Sequence, residues 1–448
     1  MDLPKSVSDI LKKFRDKKFE IYIVGGAVRD ILMGKTVHDW DFTTNATPEE
    51  ILKVLPDGFY DNVFGTVGLA VEGFERPFEI TTFRTEEGYS DRRRPDKVSW
   101  GKTLEEDLSR RDFTINAIAL DDNGKIIDPF GGEKDLKEKL IRAVGDANER
   151  FDEDALRMMR AVRIAAELGF TIEDKTFEAI KRNAPLIGKI AKERVKDELF
   201  KLLASSYPYE GIILFRNSGL MDEILPELEK CFGVEQKSVG RHHIYDVGTH
   251  LLMSLKECKS PDPVTRFATL IHDIGKPQTY KKLETGVITF YNHEMVSTKI
   301  AVSIADRLRF SKKEKDKFVT LVRWHQFTVG EMQTDNAIRR FIRNVGKQNL
   351  DEMLALRVAD RLGSGAKETS WRLEDFKKRL IEVQKQPFAV ADLKIDGNDV
   401  MKALNLKPGP KVGEILEKLF EEVVENKTPN ERKALLKKLD SNFSKSSQ

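Results

Sequence analysis

The sequence predicts an α+β protein: a small mixed-sheet head followed by an all-α neck, a helical body and a helical tail. Three observations carry this expectation. The chain has 448 residues, more than one compact core organises, so about two to four domains are expected. Residues 20–120 hold short runs rich in β-branched and aromatic side chains, separated by glycine turns. From Asp135 onward apolar residues recur at three- and four-residue spacing, as in DEDALRMMRAVRIAAELG, almost without interruption. The expected domains are residues 1–135, 136–235, 236–375 and 376–448.

In the head, IYIVGG reads as a strand entering a glycine turn, and AVRDILMG as a short helix ending at Gly34. DWDF, TVGLAVEG and PFEITTF read as strands. Residues 84–100, RTEEGYSDRRRPDKVSW, are charged and turn-rich and read as a mobile loop. Beyond the head, SPDP and LKPGPKVG punctuate the helices, and the chain closes on the polar stretch SNFSKSSQ. No internal repeat is present.

Composition narrows the classes. Apolar residues make up 40% and charged residues 33%, with 76 Lys and Arg against 74 Asp and Glu, a net charge of +2. Such a balance gives no global field for nucleic acid, so any basic face must be local. Two cysteines, Cys231 and Cys258, exclude a disulfide framework and a CxxC metal site, which points to a reducing compartment. The N-terminal segment is charged throughout, and no apolar run approaches the roughly 20 residues of a membrane helix. A cytoplasmic location without a membrane partner is expected; the oligomeric state is not readable.

The stretch IYIVGGAVRDILMGKTVHDWDF carries the first chemistry. On a strand, residues two apart face the same side, so Asp39 and Asp41 aim two carboxylates at one spot while Trp40 points away. Paired hard oxygens suit Mg²⁺, which binds one or two carboxylates together with substrate phosphates. Glu79, in FEITTFR, is the candidate third carboxylate. Gly25 and Gly26 let backbone N–H groups approach phosphate oxygens, and Arg29 supplies positive charge.

These residues also carry a resemblance. GGAVRD…DWDF resembles the first motif of nucleotidyltransferases of the polymerase-β superfamily, and RRDFTINAIAL (residues 110–120) the second motif of the class II tRNA nucleotidyltransferase and poly(A) polymerase group. EDALRMMRAVR (153–163) and ERVKDELFKLL (193–203) resemble two further motifs of its bacterial tRNA branch. The resemblance implies attack of an RNA 3′-hydroxyl on the α-phosphate of a nucleoside triphosphate, with metals held by Asp39 and Asp41. It implies that Gly26 and Arg29 hold the triphosphate, that Arg111 contacts the nucleotide, that Asp112 accepts from its ribose hydroxyl, and that Asn116 supports that turn. The partners implied are tRNA, contacted at acceptor stem and elbow, with CTP and ATP.

On a continuous helix Asp154, Arg157 and Arg160 lie three apart on nearly one face, while Leu156, Met159 and Val162 form a core face. Asp accepts hydrogen bonds and Arg donates them. Cytosine and adenine both offer an amino donor beside a ring acceptor; guanine and uracil offer the reverse order. An Asp154/Arg157 pair therefore suits C and A and leaves buried groups mismatched against G and U. Arg160 and Arg163 add phosphate or base contacts. Glu193, Arg194 and Glu198 are expected to form a structural ion-pair network at the head–neck junction. Full CCA addition, CC-only or A-only addition and poly(A) synthesis remain alternatives, as does a phosphohydrolase with a vestigial head.

All but one of the seven histidines lie between residues 242 and 325. The order His250, His272-Asp273, His293, His325, Asp360 resembles the HD metal-dependent phosphohydrolase superfamily. The resemblance implies one divalent metal, Mg²⁺ or a transition ion, on His250, His272, Asp273 and Asp360, and a second on His293 and His325. KPGPKVG opens a helix whose N-terminus is a candidate phosphate contact for the tRNA elbow.

Overall fold

The computed structural model describes residues 3–60, 65–87, 97–100, 103–236, 244–327, 334–384, 390–424 and 427–442. The chain opens with α1 (Lys5–Asp16), where Val7, Ile10, Leu11 and Phe14 recur on one face and are buried. That face covers a seven-stranded sheet built from β1 (Ile21–Val24), β2 (Asp41–Thr44), β3 (Phe59–Tyr60), β4 (Thr66–Leu69), β5 (Phe78–Thr82), β6 (Ala119–Leu120) and β7 (Ile126–Ile127). The spatial order is β3-β4-β5-β2-β1-β6-β7, and only β2–β5 is parallel.

Register explains what the sheet does. Ile23, Phe42, Ile80 and Val67 are Cα partners across four strands, and all four are buried in the head core. One residue along, Val24 pairs with Asp41 and Asp41 with Glu79. Alternation turns this second row to the opposite face. β1 then ends at Gly25, and α2 (Gly26–Leu32) begins, so the glycine turn lands beside Asp41.

Two expectations change in the head. The DWDF strand begins only at Asp41, and Asp39 precedes it in a bend. The base of the 84–100 segment is a two-stranded ribbon, Arg84–Glu87 antiparallel to Lys97–Trp100. Residues 88–96, with YSDRRRP, lie outside the described residues.

The neck contains α3 (Leu156–Leu168), with Leu156, Met159 and Val162 buried as expected. Gly169 ends it at φ +70°, a left-handed position natural to glycine. Asp154 is not on this helix. It is extended (φ −140°) between Ala147–Glu153 and α3, so the face geometry expected for Asp154, Arg157 and Arg160 on one helix does not hold. The helical run is also interrupted by two short strand pairs, Leu140–Ile141 with Thr171–Ile172 and Lys281–Lys282 with Ile288–Thr289.

α4 (Lys192–Ala204) leads toward the body, which consists of α5 (Val247–Glu257), α6 (Pro263–Ile271), α7 (His293–Arg307), α8 (Lys312–Trp324) and α9 (Leu350–Gly363). One apolar core runs from Phe113 through Met159, Leu199, Phe267 and Phe318 to Val383. The helix Trp371–Gln384 belongs to it through Phe376, Leu380 and Val383, so the boundary expected at 375/376 falls inside a body helix. The tail has its own core around Val400, Leu419 and Leu435.

α5 and α9 touch where Gly363 meets Ser254: a Cβ there would lie 2.6 Å from the Ser254 backbone nitrogen. Gly363→Ala should therefore force the helices apart and cost about 1–3 kcal/mol. The check is the thermal melting of the full-length variant against wild type; an unchanged melt would refute the close packing.

Candidate active sites in the head and body

The glycine turn, the second row of the sheet and the neck enclose a cavity of about 500 Å³. Gly25 and Gly26 form its floor beside Asp41. Gly25 has φ +72°, and a Cβ on it would lie 2.9 Å from Arg111 Nη1 and 3.3 Å from Asp41 Oδ2, so only glycine fits. Burial pushes the Asp41 carboxyl above its ordinary range; Arg111 counters this, and Asp39 adds to it. A buried carboxylate of this kind gains from a nearby cation, and its hard oxygens suit Mg²⁺.

The three expected metal ligands are not equally placed. Glu79 is in register with Asp41 but exposed and off the cavity wall. Asp39 is half exposed, and Arg76 Nη1 donates to it at 2.6 Å. Among the described residues no three-ligand cluster forms in the head.

Above the floor sits a chain of polar contacts. Arg160 on α3 donates twice to Asp112 Oδ2, from Nε at 2.8 Å and Nη2 at 2.6 Å. Asp112 Oδ1 accepts from the Phe113 N–H at 2.8 Å and from Asn116 Nδ2 at 3.1 Å. Asn116 in turn accepts from Arg29 at 3.0 Å, and Arg29 is also tied to Asp30. All four acceptor positions of Asp112 are thus filled by protein donors, which leaves none for the expected ribose contact. Burial alone would raise Asp112, but Arg160 and Asn116 outweigh it and hold the carboxyl far below its usual range. Arg29 lies behind Asn116 and does not line the cavity.

Arg111 and Arg110 both lean on Asp107, a fully buried carboxylate of the helix Leu104–Ser109. The Arg111 contact is long, 3.4 Å, and its Nε has no hydrogen-bond partner. It faces the cavity ready for an anion.

Asp154 and Arg157 both line the wall opposite the glycines, but they do not pair with each other. The Asp154 carboxylate accepts the Leu156 N–H at 3.0 Å, which starts α3, and Arg194 Nη2 at 2.8 Å. Arg157 is held by Glu153 and by the carbonyls of Arg150 and Arg110. Arg163 is turned away: it binds Glu198 and Glu167, each at 2.6 Å, behind the wall. Arg194 and Glu198 do form ion pairs as expected, yet they stand on the cavity wall with Asp197 and Lys201. The spacing 194, 197/198, 201 is one helical face and was the available signal.

The second site lies in the body. His250 on α5, His272 and Asp273 after α6, His293 opening α7, His325 after α8 and Asp360 on α9 converge from five helices. Asp273 Oδ1 lies 3.0 Å from His293 Nε2 and 3.4 Å from His325 Nε2. Its Oδ2 lies 3.5 Å from His250 Nε2 and 3.4 Å from His272 Nε2. Asp360 Oδ1 lies 3.3 Å from His250 and 3.5 Å from His272. Two groups of three ligand atoms result, His250–His272–Asp273 and Asp273–His293–His325, with Asp273 common to both.

The opposite ring nitrogens are fixed. Nδ1 of His272, His293 and His325 sits 2.8, 2.8 and 2.7 Å from the carbonyls of Thr269, Phe290 and Val322. Such anchoring directs Nε2 inward, as in metal-binding histidines. Burial opposes charge on His272, but Asp273 and Asp360 push it up to about 10; burial holds His325 below its ordinary value. Imidazole nitrogens and carboxylate oxygens converging at this spacing suit divalent ions. Two residues missed from sequence flank it: Lys276, 2.6 Å from Asp273 Oδ2, and Arg357, 3.1 Å from Asp360 Oδ2. Each is three positions from its aspartate on the chain.

Residues 21–142 match the family "Poly A polymerase head domain", 169–232 the family "Probable RNA and SrmB- binding site of polymerase A", and 284–439 the second domain of tRNA nucleotidyltransferases. The CCA-adding enzyme of Ligilactobacillus salivarius is 36% identical over 433 residues, 96% of this chain and 95% of its own. The Bacillus stearothermophilus CCA-adding enzyme, solved with CTP, superposes with a TM-score of 0.70 at 28% identity, covering 98% of this chain and 97% of that one. The Thermotoga maritima CCA-adding enzyme, solved with tRNA, shares the fold at 20% identity, with a TM-score of 0.60 and 98% and 95% coverage.

The Asp112–Arg160 pair bolts head to neck and makes a pH prediction. A carboxyl lowered by folding contributes stability above its unfolded pKa of about 4, and that contribution fades as pH falls through the folded value. Asp112→Asn should cost about 2 kcal/mol, less than a fully enclosed pair because Arg160 keeps solvent access. Urea midpoints should show a constant gap to wild type from pH 8 to about pH 4, narrowing only below; a gap that closes near neutrality would refute the assignment.

Proposed function

The chain belongs to the family of CCA-adding enzymes, and on that premise we propose that it builds or repairs the 3′-terminal CCA of tRNA from CTP and ATP without a nucleic-acid template. The observation that carries the residue-level reading is the shared cavity: Asp41 and the glycine turn at one end, Asp154 and Arg157 at the other. The triphosphate lies over Gly25 and Gly26, where backbone N–H groups and Arg111 meet its oxygens. The base faces the neck, where Asp154 accepts from the amino group of C or A and Arg157 donates to the ring nitrogen. Arg194 holds the Asp154 carboxylate in orientation, so guanine and uracil meet an acceptor and a donor in the wrong order.

The 3′-oxygen of the tRNA forms a bond to the α-phosphorus, the α–β bridging bond breaks, the hydroxyl proton is released, and pyrophosphate leaves. Mg²⁺ held by Asp41, with Asp39 and Glu79 beside it, would supply the Lewis acidity that lowers the hydroxyl pKa and neutralises the leaving group. For Asp39 to take part, Arg76 has to release it. The reaction belongs where tRNA is made and used, and we place the protein in the cytoplasm; among the described residues no helix is long and apolar enough to cross a membrane.

Transcripts ending at the discriminator base, at C and at CC test the reading, each incubated with Mg²⁺ and labelled CTP, ATP, GTP or UTP and with CTP plus ATP. Gel products of the shortest tRNA should end in CCA, with no use of GTP or UTP. Asp41→Ala should lower kcat about a thousandfold while tRNA binding persists. Addition of only C or only A would reassign the chain to a divided pathway, long A tracts to poly(A) synthesis, and none at all would end the proposal.

The histidine–aspartate centre supports a second activity on the same chain, hydrolysis of a phosphoester. His250, His272, Asp273 and Asp360 would hold one divalent ion and His293 and His325 a second, sharing Asp273, and the ions would supply an activated water. Lys276 and Arg357 stand where they can take the phosphate charge. Purified protein dialysed against Mn²⁺ or Ni²⁺ should retain about two ions per chain by elemental analysis, and Asp273→Ala should retain none there. Equal metal content in the two proteins would refute the assignment.

A further inference from the structure

The helix Leu104–Ser109 carries a buried carboxylate just outside the head cavity. Leu104 and Leu108 seat this helix in an apolar cluster with Val24 and Ala119, on the Asp41 side of the sheet. Asp107 stands beside Leu108 and is fully closed to solvent. A carboxylate so placed is costly unless cations meet it. Two do. Asp107 Oδ1 accepts from Arg110 Nε at 3.0 Å and Nη2 at 2.5 Å, and Oδ2 accepts from Arg111 Nη2 at 3.4 Å. Burial would raise the Asp107 carboxyl, but Arg110 and Arg111 hold it below its ordinary range. Arg110 engages one oxygen twice, while the other oxygen reaches a guanidinium that lines the cavity.

Arg111 thus stands between two carboxylates, Asp107 and Asp41. The bare Gly25 marks how close the second one is, because one added Cβ would meet both Arg111 Nη1 and Asp41 Oδ2. The hydrogen bond to Asp107 runs from Nη2 and leaves Nη1 over the glycine turn. Without that anchor the guanidinium is free to close on Asp41 and take the oxygen a cation would use. The anchor also reaches the base end, since the Arg110 carbonyl accepts from Arg157 Nη2 at 3.1 Å. Resting on the transferase reading of this cavity, we infer that Asp107 is a positioning residue for nucleotide addition, which holds Arg111 over the glycine turn for the triphosphate and away from Asp41. Arg111 is then in place before the nucleotide arrives, and the Asp41 oxygens stay open.

The test is a double-mutant cycle in the full-length protein with Asp107→Asn and Arg111→Ala. Two readouts serve it: calorimetric titration with CTP in EDTA, and CTP addition to a tRNA ending at the discriminator base. Asp107→Asn should weaken CTP binding and raise its KM about tenfold. The double variant should bind CTP no more weakly than Arg111→Ala alone, because Asp107 acts through Arg111. The Mg²⁺ concentration giving half-maximal rate should rise about tenfold in Asp107→Asn, where Arg111 closes on Asp41, and return to the wild-type value in the double variant. A general structural defect would not be repaired by a second substitution. Additive losses of CTP affinity, an unchanged affinity in Asp107→Asn, or an Mg²⁺ requirement still raised in the double variant would each overturn the inference. So would an Asp107→Asn chain that loses both its cooperative melt and its tRNA binding, since Asp107 would then be a folding group. If wild type adds no nucleotide at all, the transferase reading fails by itself, and the calorimetric cycle still decides whether Asp107 sets Arg111.

Discussion

The bidentate contact between Arg160 and Asp112 is the constraint on which the catalytic half depends. Asp112 belongs to the head and Arg160 to a neck helix, so neither body alone contains the cavity. The contact is charge-assisted, with two guanidinium nitrogens on one carboxylate oxygen, Oδ2. From it the network runs through Asn116 to Arg29 in α2, the helix that follows the glycine turn. The phosphate end and the base end are thereby set at a fixed separation by polar bonds. A base reader and a reaction centre held this way make selection a matter of fit between two rigid walls.

Much of this was legible because unusual residue types stood in unusual order. Gly25-Gly26 before two acids, and a histidine before an aspartate repeated against later histidines, have few purely structural uses. The side of the sheet was legible too, since Asp41 alternates with the buried Phe42. What was not legible was which member of each pair does the reaching. Arg163 and Arg157 look alike in EDALRMMRAVR, yet Glu198 and Glu167 draw the first behind the wall. Arg29 looked like a phosphate ligand and serves Asn116. These outcomes depend on partners tens of residues away, and no local pattern names them. Asp154 is instructive in another way. Its carboxylate caps the N-terminus of α3, a role the sequence could have signalled, but the regular spacing to Arg157 and Arg160 suggested an uninterrupted helix instead.

The body centre follows a different logic. Its ligands sit at helix ends as often as within helices: His272 and His325 terminate α6 and α8, and His293 begins α7. Each of these three rings is pinned by a carbonyl of its own helix or turn, so convergence at Asp273 requires the helices to be packed before any ion arrives. The adjacent pair of helices, α5 and α9, is brought close by Gly363, which lets Asp360 approach His250. The carboxylates of Asp273 and Asp360 raise His250 and His272, and Asp273 raises His293, against the burial that opposes charge on all three.

Two of the apolar cores also differ in how they divide the chain. One core spans neck and body without a seam, from Phe113 to Val383, so a crossover between related genes anywhere inside that span would leave half an interior exposed to water. The tail core, from Leu393 to Leu439, closes on itself. Recombination at the junction would hand on a finished unit. The tail can therefore be remodelled as a unit, whereas neck and body share one interior.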